Sequence, residues 1–188
     1  MLRLVAVLAL VVLPVAGREA RVERAVSVQD IDGRAWTLLA PAAGQVDLLL
    51  FVATDCPISN RYAPEIARTV KEYAPRGVRT FLVYAKATTP VADVRKHQRE
   101  YGLTGITAIV DARHLLVDAV APKVTPEAAV YATTGRLYRG RIDDLYADLG
   151  HPRQAATRHD VRLALDAALA GKTITPSVTD AFGCFIEK

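Results

Sequence analysis

Short unbroken apolar runs alternate along this chain with stretches in which apolar residues recur every three or four positions. The run QVDLLLFVA (45–53) has strand length and no polar alternation, the pattern of a strand covered on both faces. GVRTFLVYA (77–85) and GITAIVD (105–111) read the same way. Between the first two, Ile58, Tyr62, Ile66, Val70 and Tyr73 share one face of a helix predicted over residues 57–73. A second helix is predicted in PVADVRKHQREYG (90–102), opened by Pro90 and closed by Gly102, and a short one in ARHLLVDAV (112–120). EAAVYATTGRLYRGRI (127–142) reads as two strands about a turn at Thr134-Gly135. TRHDVRLALDAALAG (157–171) is the last helix, with Thr157 as its expected N-cap and Asp160 three residues on. Upstream, AVSVQDIDGRAWTLLAPAAG (25–44) is a strand pair turning at Asp32-Gly33. The tail from Lys172 onward has little periodicity. This order predicts one α/β sandwich domain, with parallel strands crossed by helices and a C-terminal hairpin.

The first 17 residues stand apart. Arg3 precedes an apolar stretch from Leu4 to Val15, too short to span a bilayer, and Val15 and Gly17 suit a signal-peptidase site. A cleaved leader over 1–17 is expected, with a periplasmic or secreted mature chain beginning near Arg18 and no membrane attachment after cleavage. The net charge of +4 is spread along the sequence, with no basic patch interleaved with aromatics, so no nucleic-acid partner is expected.

Export changes the meaning of the two cysteines. Two thiols are too few for a disulfide scaffold, which leaves one structural bridge or a working thiol site. Cys56 falls at the junction between the 45–53 strand and the 57–73 helix. There the unpaired backbone N–H groups of a helix start favour the thiolate. Asp55 beside it acts in the opposite sense. Cys184 sits among Phe182, Gly183, Phe185 and Ile186, an apolar segment that has to dock against the domain. Whether Cys56 and Cys184 form a switch, a staple or no bridge is left open by the sequence. His97 and His114 are expected to face solvent, His159 to have a structural role, and His151 to lie in a loop. The GRIDD segment containing Arg141, Asp143 and Asp144 reads as a solvated turn or a border of the thiol site.

The stretch TDCPISNRYAPEI (54–66), with Pro64 eight residues after Cys56, resembles the active-site helix of the thioredoxin-like superfamily. KVTPEAAVYATTGRLYRGRID (123–143) is similar to the segment in which that superfamily places a cis-proline before a strand. In detail the chain looks most like exported bacterial redoxin-domain proteins of the alkyl hydroperoxide reductase/thiol-specific antioxidant and thiol-disulfide interchange groups. The resemblance spans residues 25–171. It implies a three-layer sandwich with a central mixed sheet and an N-terminal strand extension, in a redoxin domain over 18–175; the apolar residues around Cys184 mark 176–188 beyond it as a C-terminal arm.

It also implies roles. Cys56 matches the nucleophile, and Ser59 stands where the second thiol of a Cys-x-x-Cys motif would be and is expected to hydrogen-bond the Cys56 thiolate. Thr125-Pro126 would be the cis bond that seats an extended substrate; outside the resemblance, the apolar arm with Gly183 makes Cys184 the candidate resolving thiol. The partners implied are protein or small-molecule thiols and disulfides, with no cofactor and no metal. Ala53 and Leu49 occupy the positions where peroxiredoxins carry Thr and Pro, so peroxidase chemistry is not indicated. The alternative reading is a copper-binding or interaction module on the same scaffold, with His151 or His159 joining the thiolates.

Overall fold

The computed structural model describes residues 24–146 and 151–187, so the expected leader and its cleavage site lie outside the described residues. A hairpin of β1 (Val26–Gln29) and β2 (Ala35–Leu38) opens the chain. The strands β3 (Val46–Val52), β4 (Val78–Tyr84), β5 (Thr107–Val110), β7 (Glu127–Ala132) and β8 (Gly135–Gly140) form the main sheet. Its order is β5-β4-β3-β7-β8. β3, β4 and β5 run parallel, whereas β7 and β8 are antiparallel to their neighbours. The helices are α1 (Pro57–Tyr73), α2 (Val91–Glu100), α3 (Leu115–Val120) and α4 (Asp160–Leu169). A second two-stranded sheet pairs β6 (Val124–Thr125) with β9 (Cys184–Phe185).

The unbroken apolar run of β3 has its explanation in this order. All seven of its residues are buried, because it has a strand on each side and a layer on each face. Side chains of a strand alternate between faces. Leu48, Leu50 and Val52 therefore join Tyr62 and Ile66 of α1 and Val161 and Leu165 of α4, whereas Leu49 and Phe51 join Leu38, Leu116 and Val117. Asp47 stands at the start of this strand, fully buried. It takes a two-pronged pair from Arg79 at 2.7 and 2.9 Å, directly across on β4. α1 continues unbroken through Pro64.

The sheet is finished at both sides by irregular chain. Ile31 donates its N–H to Ala108 of β5 at 2.9 Å. On the far side Ser177 accepts from the Arg139 N–H at 3.0 Å, and the Thr179 N–H returns to the Arg139 carbonyl at 3.1 Å. Thr179 comes so close to Gly140 that a Cβ there would overlap it, and Gly140 has a φ of +148°. The Thr179 hydroxyl meets the Tyr138 hydroxyl at 2.6 Å and accepts the Arg141 N–H at 3.1 Å.

Three sequence expectations need correction. Thr157 does not cap α4, which starts at Asp160. Its N–H and hydroxyl both donate to Asp144, at 2.7 and 2.6 Å, and Asp160 is taken by Arg141 and Arg158. The GRIDD segment is not a solvated turn: Asp143 and Asp144 are buried, with Asp143 accepting from the Tyr62 hydroxyl at 2.7 Å. His97 does not face solvent either. It lies on the buried face of α2 with Val94 and Gln98, 4% exposed, and holds Tyr84 and Asn60 at 2.9 and 2.8 Å. His114 is half-buried, its Nε2 3.1 Å from the Ala85 carbonyl.

Candidate functional site

Cys56 is the N-cap residue of α1, with extended backbone (φ −88°, ψ 111°) and Pro57 as the first helical residue. Pro57 suits that position because its missing N–H would have no helical partner there. The Cys56 sulfur takes the capping role that a serine or aspartate oxygen usually fills. The Ser59 N–H points at Sγ from 3.4 Å, and the Asn60 N–H bonds the Cys56 carbonyl at 3.0 Å.

The opposite wall is β6. The Thr125 carbonyl oxygen lies 3.1 Å from the Cys56 Sγ, and the Thr125-Pro126 peptide is cis. In the bridged state that sulfur has no proton, so the contact becomes a hydrogen bond only when Cys56 is a thiol. β6 is held from behind by Glu127. Its buried carboxylate accepts the Lys123 and Val124 N–H groups at 2.8 and 3.4 Å and faces Arg139 at 3.4 Å.

Cys184 meets Cys56 in a disulfide, with Cα atoms 6.0 Å apart and a sequence separation of 128. Its segment arrives as a strand. Thr125 pairs with Cys184 and Val124 with Phe185, and the Ile186 N–H reaches the Lys123 carbonyl at 3.3 Å. The structure thus brings Cys56, Ser59, Thr125, Pro126 and Cys184 into one place. The two sulfurs differ in exposure. Cys56 is 1% exposed, and Cys184 only half-buried. Beside Cys184 opens a cleft of about 230 Å³ lined by Ala53, Asp55, Lys86, Phe185 and Ile186 among others. Asp55 and Lys86 pair at its mouth at 3.2 Å, and Phe185 stands 81% exposed.

Ser59 contributes differently from what its motif position implies. Its backbone N–H, not its hydroxyl, faces the sulfur. The hydroxyl is buried with no hydrogen-bond partner among the described residues. Arg61 turns away, its guanidinium 5.9 Å from the Tyr146 ring.

Sequence reasoning missed the support under the Cys56 loop. Asn60 donates to the Thr54 carbonyl at 3.2 Å and to the Tyr101 hydroxyl at 3.1 Å, while its own oxygen meets His97 Nε2. Because Asn60 Oδ1 only accepts, His97 carries its proton on Nε2 and accepts the Tyr84 O–H at Nδ1. Burial pushes the His97 pKa down, against a smaller opposing effect of Glu100. The available signal was the spacing of Val94, His97 and Gln98, which puts the histidine on the apolar face. Glu127, opening a predicted strand right after a proline, had no comparable signal.

Among the described residues, no three His, Cys, Asp or Glu side chains converge as a metal site. His159 points to Asp143, 3.9 Å away, rather than to either sulfur.

No family model matches the chain, and no curated protein matches it. Solved structures do. An uncharacterized conserved protein from Geobacillus kaustophilus superposes with a TM-score of 0.75 at 21% identity, covering 89% of this chain and 90% of its own. A putative thioredoxin from Neisseria meningitidis gives 0.60 at 22% identity, covering 81% and 92%. A secreted Mycobacterium tuberculosis disulfide oxidoreductase, homologous to E. coli DsbE, gives 0.54 at 16% identity, covering 78% and 95%. The sheet order, the cysteine at the α1 start and these neighbours together establish that the chain has a thioredoxin-like fold.

Proposed function

We propose that the chain is an exported thiol-disulfide oxidoreductase in which Cys56 and Cys184 form the redox couple. The observation that carries this reading is the placement of Cys184. It is bonded to the helix-start sulfur by an arm that pairs as a strand with Thr125. Reduced Cys56 attacks one sulfur of a substrate disulfide, and the other substrate sulfur leaves as a thiolate. Cys184, as thiolate, then attacks Cys56 Sγ, restoring the Cys56–Cys184 bond and releasing the second substrate thiol. Two electrons pass from the protein dithiol to the substrate disulfide, and an external thiol must return them.

Each neighbour of Cys56 has a part in this cycle. The Ser59 N–H and the α1 start favour the thiolate that attacks. The Thr125 carbonyl accepts the proton of the resting thiol. Residues 1–17 serve as the export leader, and residues 176–188 as the arm. Protein or small-molecule disulfides are the substrates.

The test is trapping. The reduced Cys184→Ser variant, offered a peptide disulfide, should accumulate a stable mixed disulfide on Cys56, and Cys56→Ser should form none there. Failure of Cys184→Ser to trap any peptide, with its fold intact by circular dichroism, would overturn the reading.

A further inference from the structure

We infer that the thiol which returns electrons to the oxidised protein attacks Cys184, not Cys56, so that the arm sulfur is the reductant-facing group and the helix-start sulfur the leaving group. This rests on the redox role proposed for the pair.

A thiolate attacks a disulfide along the line of the bond, so the outcome depends on which sulfur can be approached and which leaves more easily. Both considerations point the same way here. Cys56, 1% exposed, is closed in by α1, β6 and the arm itself. Cys184 is half-buried and lines the 230 Å³ cleft, which Cys56 does not. The cleft has room for one thiol-bearing group, with Lys86 and Asp55 at its mouth and the exposed Phe185 beside it.

The leaving side is equally prepared. As the bond breaks, charge builds on Cys56 Sγ, where the Ser59 N–H stands at 3.4 Å at the positive end of the α1 dipole. The proton given up by the attacking thiol ends on Cys56, where the Thr125 carbonyl at 3.1 Å accepts it. The step balances: one external thiol plus the Cys56–Cys184 disulfide gives an external–Cys184 mixed disulfide and a Cys56 thiol. A second external thiol then attacks the mixed disulfide, leaving Cys184 free and the external pair oxidised. The attacking group is a free small thiol or a cysteine on a reductase. The two share this chemistry and differ in size.

The experiment mixes oxidised protein with reduced glutathione and quenches within seconds in excess N-ethylmaleimide. Peptide mapping then locates each adduct. Glutathione is expected on Cys184 and maleimide on Cys56, at a ratio of at least ten to one over the reverse. A second arm uses a dithiol reductase whose resolving cysteine is replaced by serine, and the captured protein should again be joined to Cys184. If only the reductase is captured, and at Cys184, the source is a protein and the inference stands. Glutathione or reductase joined mainly to Cys56 would overturn the inference while leaving the redox couple intact. A bridge that resists both reductants until the protein is unfolded would overturn both, marking it as a staple.

Discussion

Gly183 passes so close to Thr125 that a side chain on it would overlap the Thr125 carbonyl oxygen. The backbone of the arm is in effect pressed flat against β6 one residue before its cysteine. Because the obstacle is a carbonyl, no side-chain rotation can relieve it. Gly183→Ala should therefore unseat the arm and favour the reduced pair. Equilibration in glutathione buffers should show the Cys56–Cys184 bridge at least tenfold easier to reduce, which is about 30 mV for a two-electron couple. An unchanged equilibrium would mean that the arm can seat by another path.

The arm is fastened twice, and the fastenings differ in kind. Ser177 and Thr179 are held on β8 by hydrogen bonds alone, whereas β9 is held by the bridge and a two-residue pairing. Reduction should consequently free residues from Asp180 onward and leave Thr179 in place. Limited proteolysis of reduced protein should cut between Asp180 and Glu187 and spare the bonds before Thr179. Thr179→Val, which loses the contacts to Tyr138 and Arg141, should move the first cut upstream.

Protons should act on the Cys56 loop through His97. Its pKa is pushed below the ordinary histidine value by burial, so the unfolded chain binds a proton there that the folded chain resists. The stability this contributes is complete above about pH 6.5 and declines as pH falls toward the folded value. Denaturant titrations between pH 7.5 and 5 should show a falling midpoint, and His97→Gln should flatten that slope while lowering the midpoint at pH 7.5. An unaltered slope in the variant would place the titrating group elsewhere.

Asp144 should govern a lower window. Burial raises its carboxyl pKa, but the Thr157 hydroxyl, the Arg158 and Thr157 N–H groups and the Arg153 charge outweigh burial and hold it well below the usual range. Its contribution is present above about pH 3.9 and is lost as pH falls further. Asp144→Asn should cost roughly 1–3 kcal/mol at pH 7, the range for a disrupted buried hydrogen-bonded charge. The variant should approach wild type below pH 3. Urea unfolding at the two pH values checks both.

The elements that were legible in the sequence are those whose burial pattern is local. β3 shows itself because both of its faces are covered, and α1 because its apolar positions keep one spacing. Cys56 at the start of α1 follows from those two neighbours alone. What escaped was decided by partners far away in sequence. Thr157 has the chemistry of a helix cap, but Asp144, 13 residues upstream, takes both of its donors. His97 shares a helix face with Val94, a local signal of burial, but its hydrogen-bond partners Tyr84 and Asn60 lie on other elements. Asp143 reads as solvent-facing because nothing nearby announces Tyr62, 81 residues away. The tail lacked periodicity because each short piece of it copies the geometry of a different host strand.

An exposed strand rim is a template on which a second chain can grow. In this molecule the outer rim of β8 is met by Ser177 and Thr179, which are expected to stay attached when the bridge opens, and the rim of β5 is met by Ile31, which lies outside the arm. Opening the arm therefore bares one short pairing site at β6 but neither long border of the sheet. Under the proposed cycle the bridge would thus open and close without repeatedly offering neighbouring molecules a surface for aggregation.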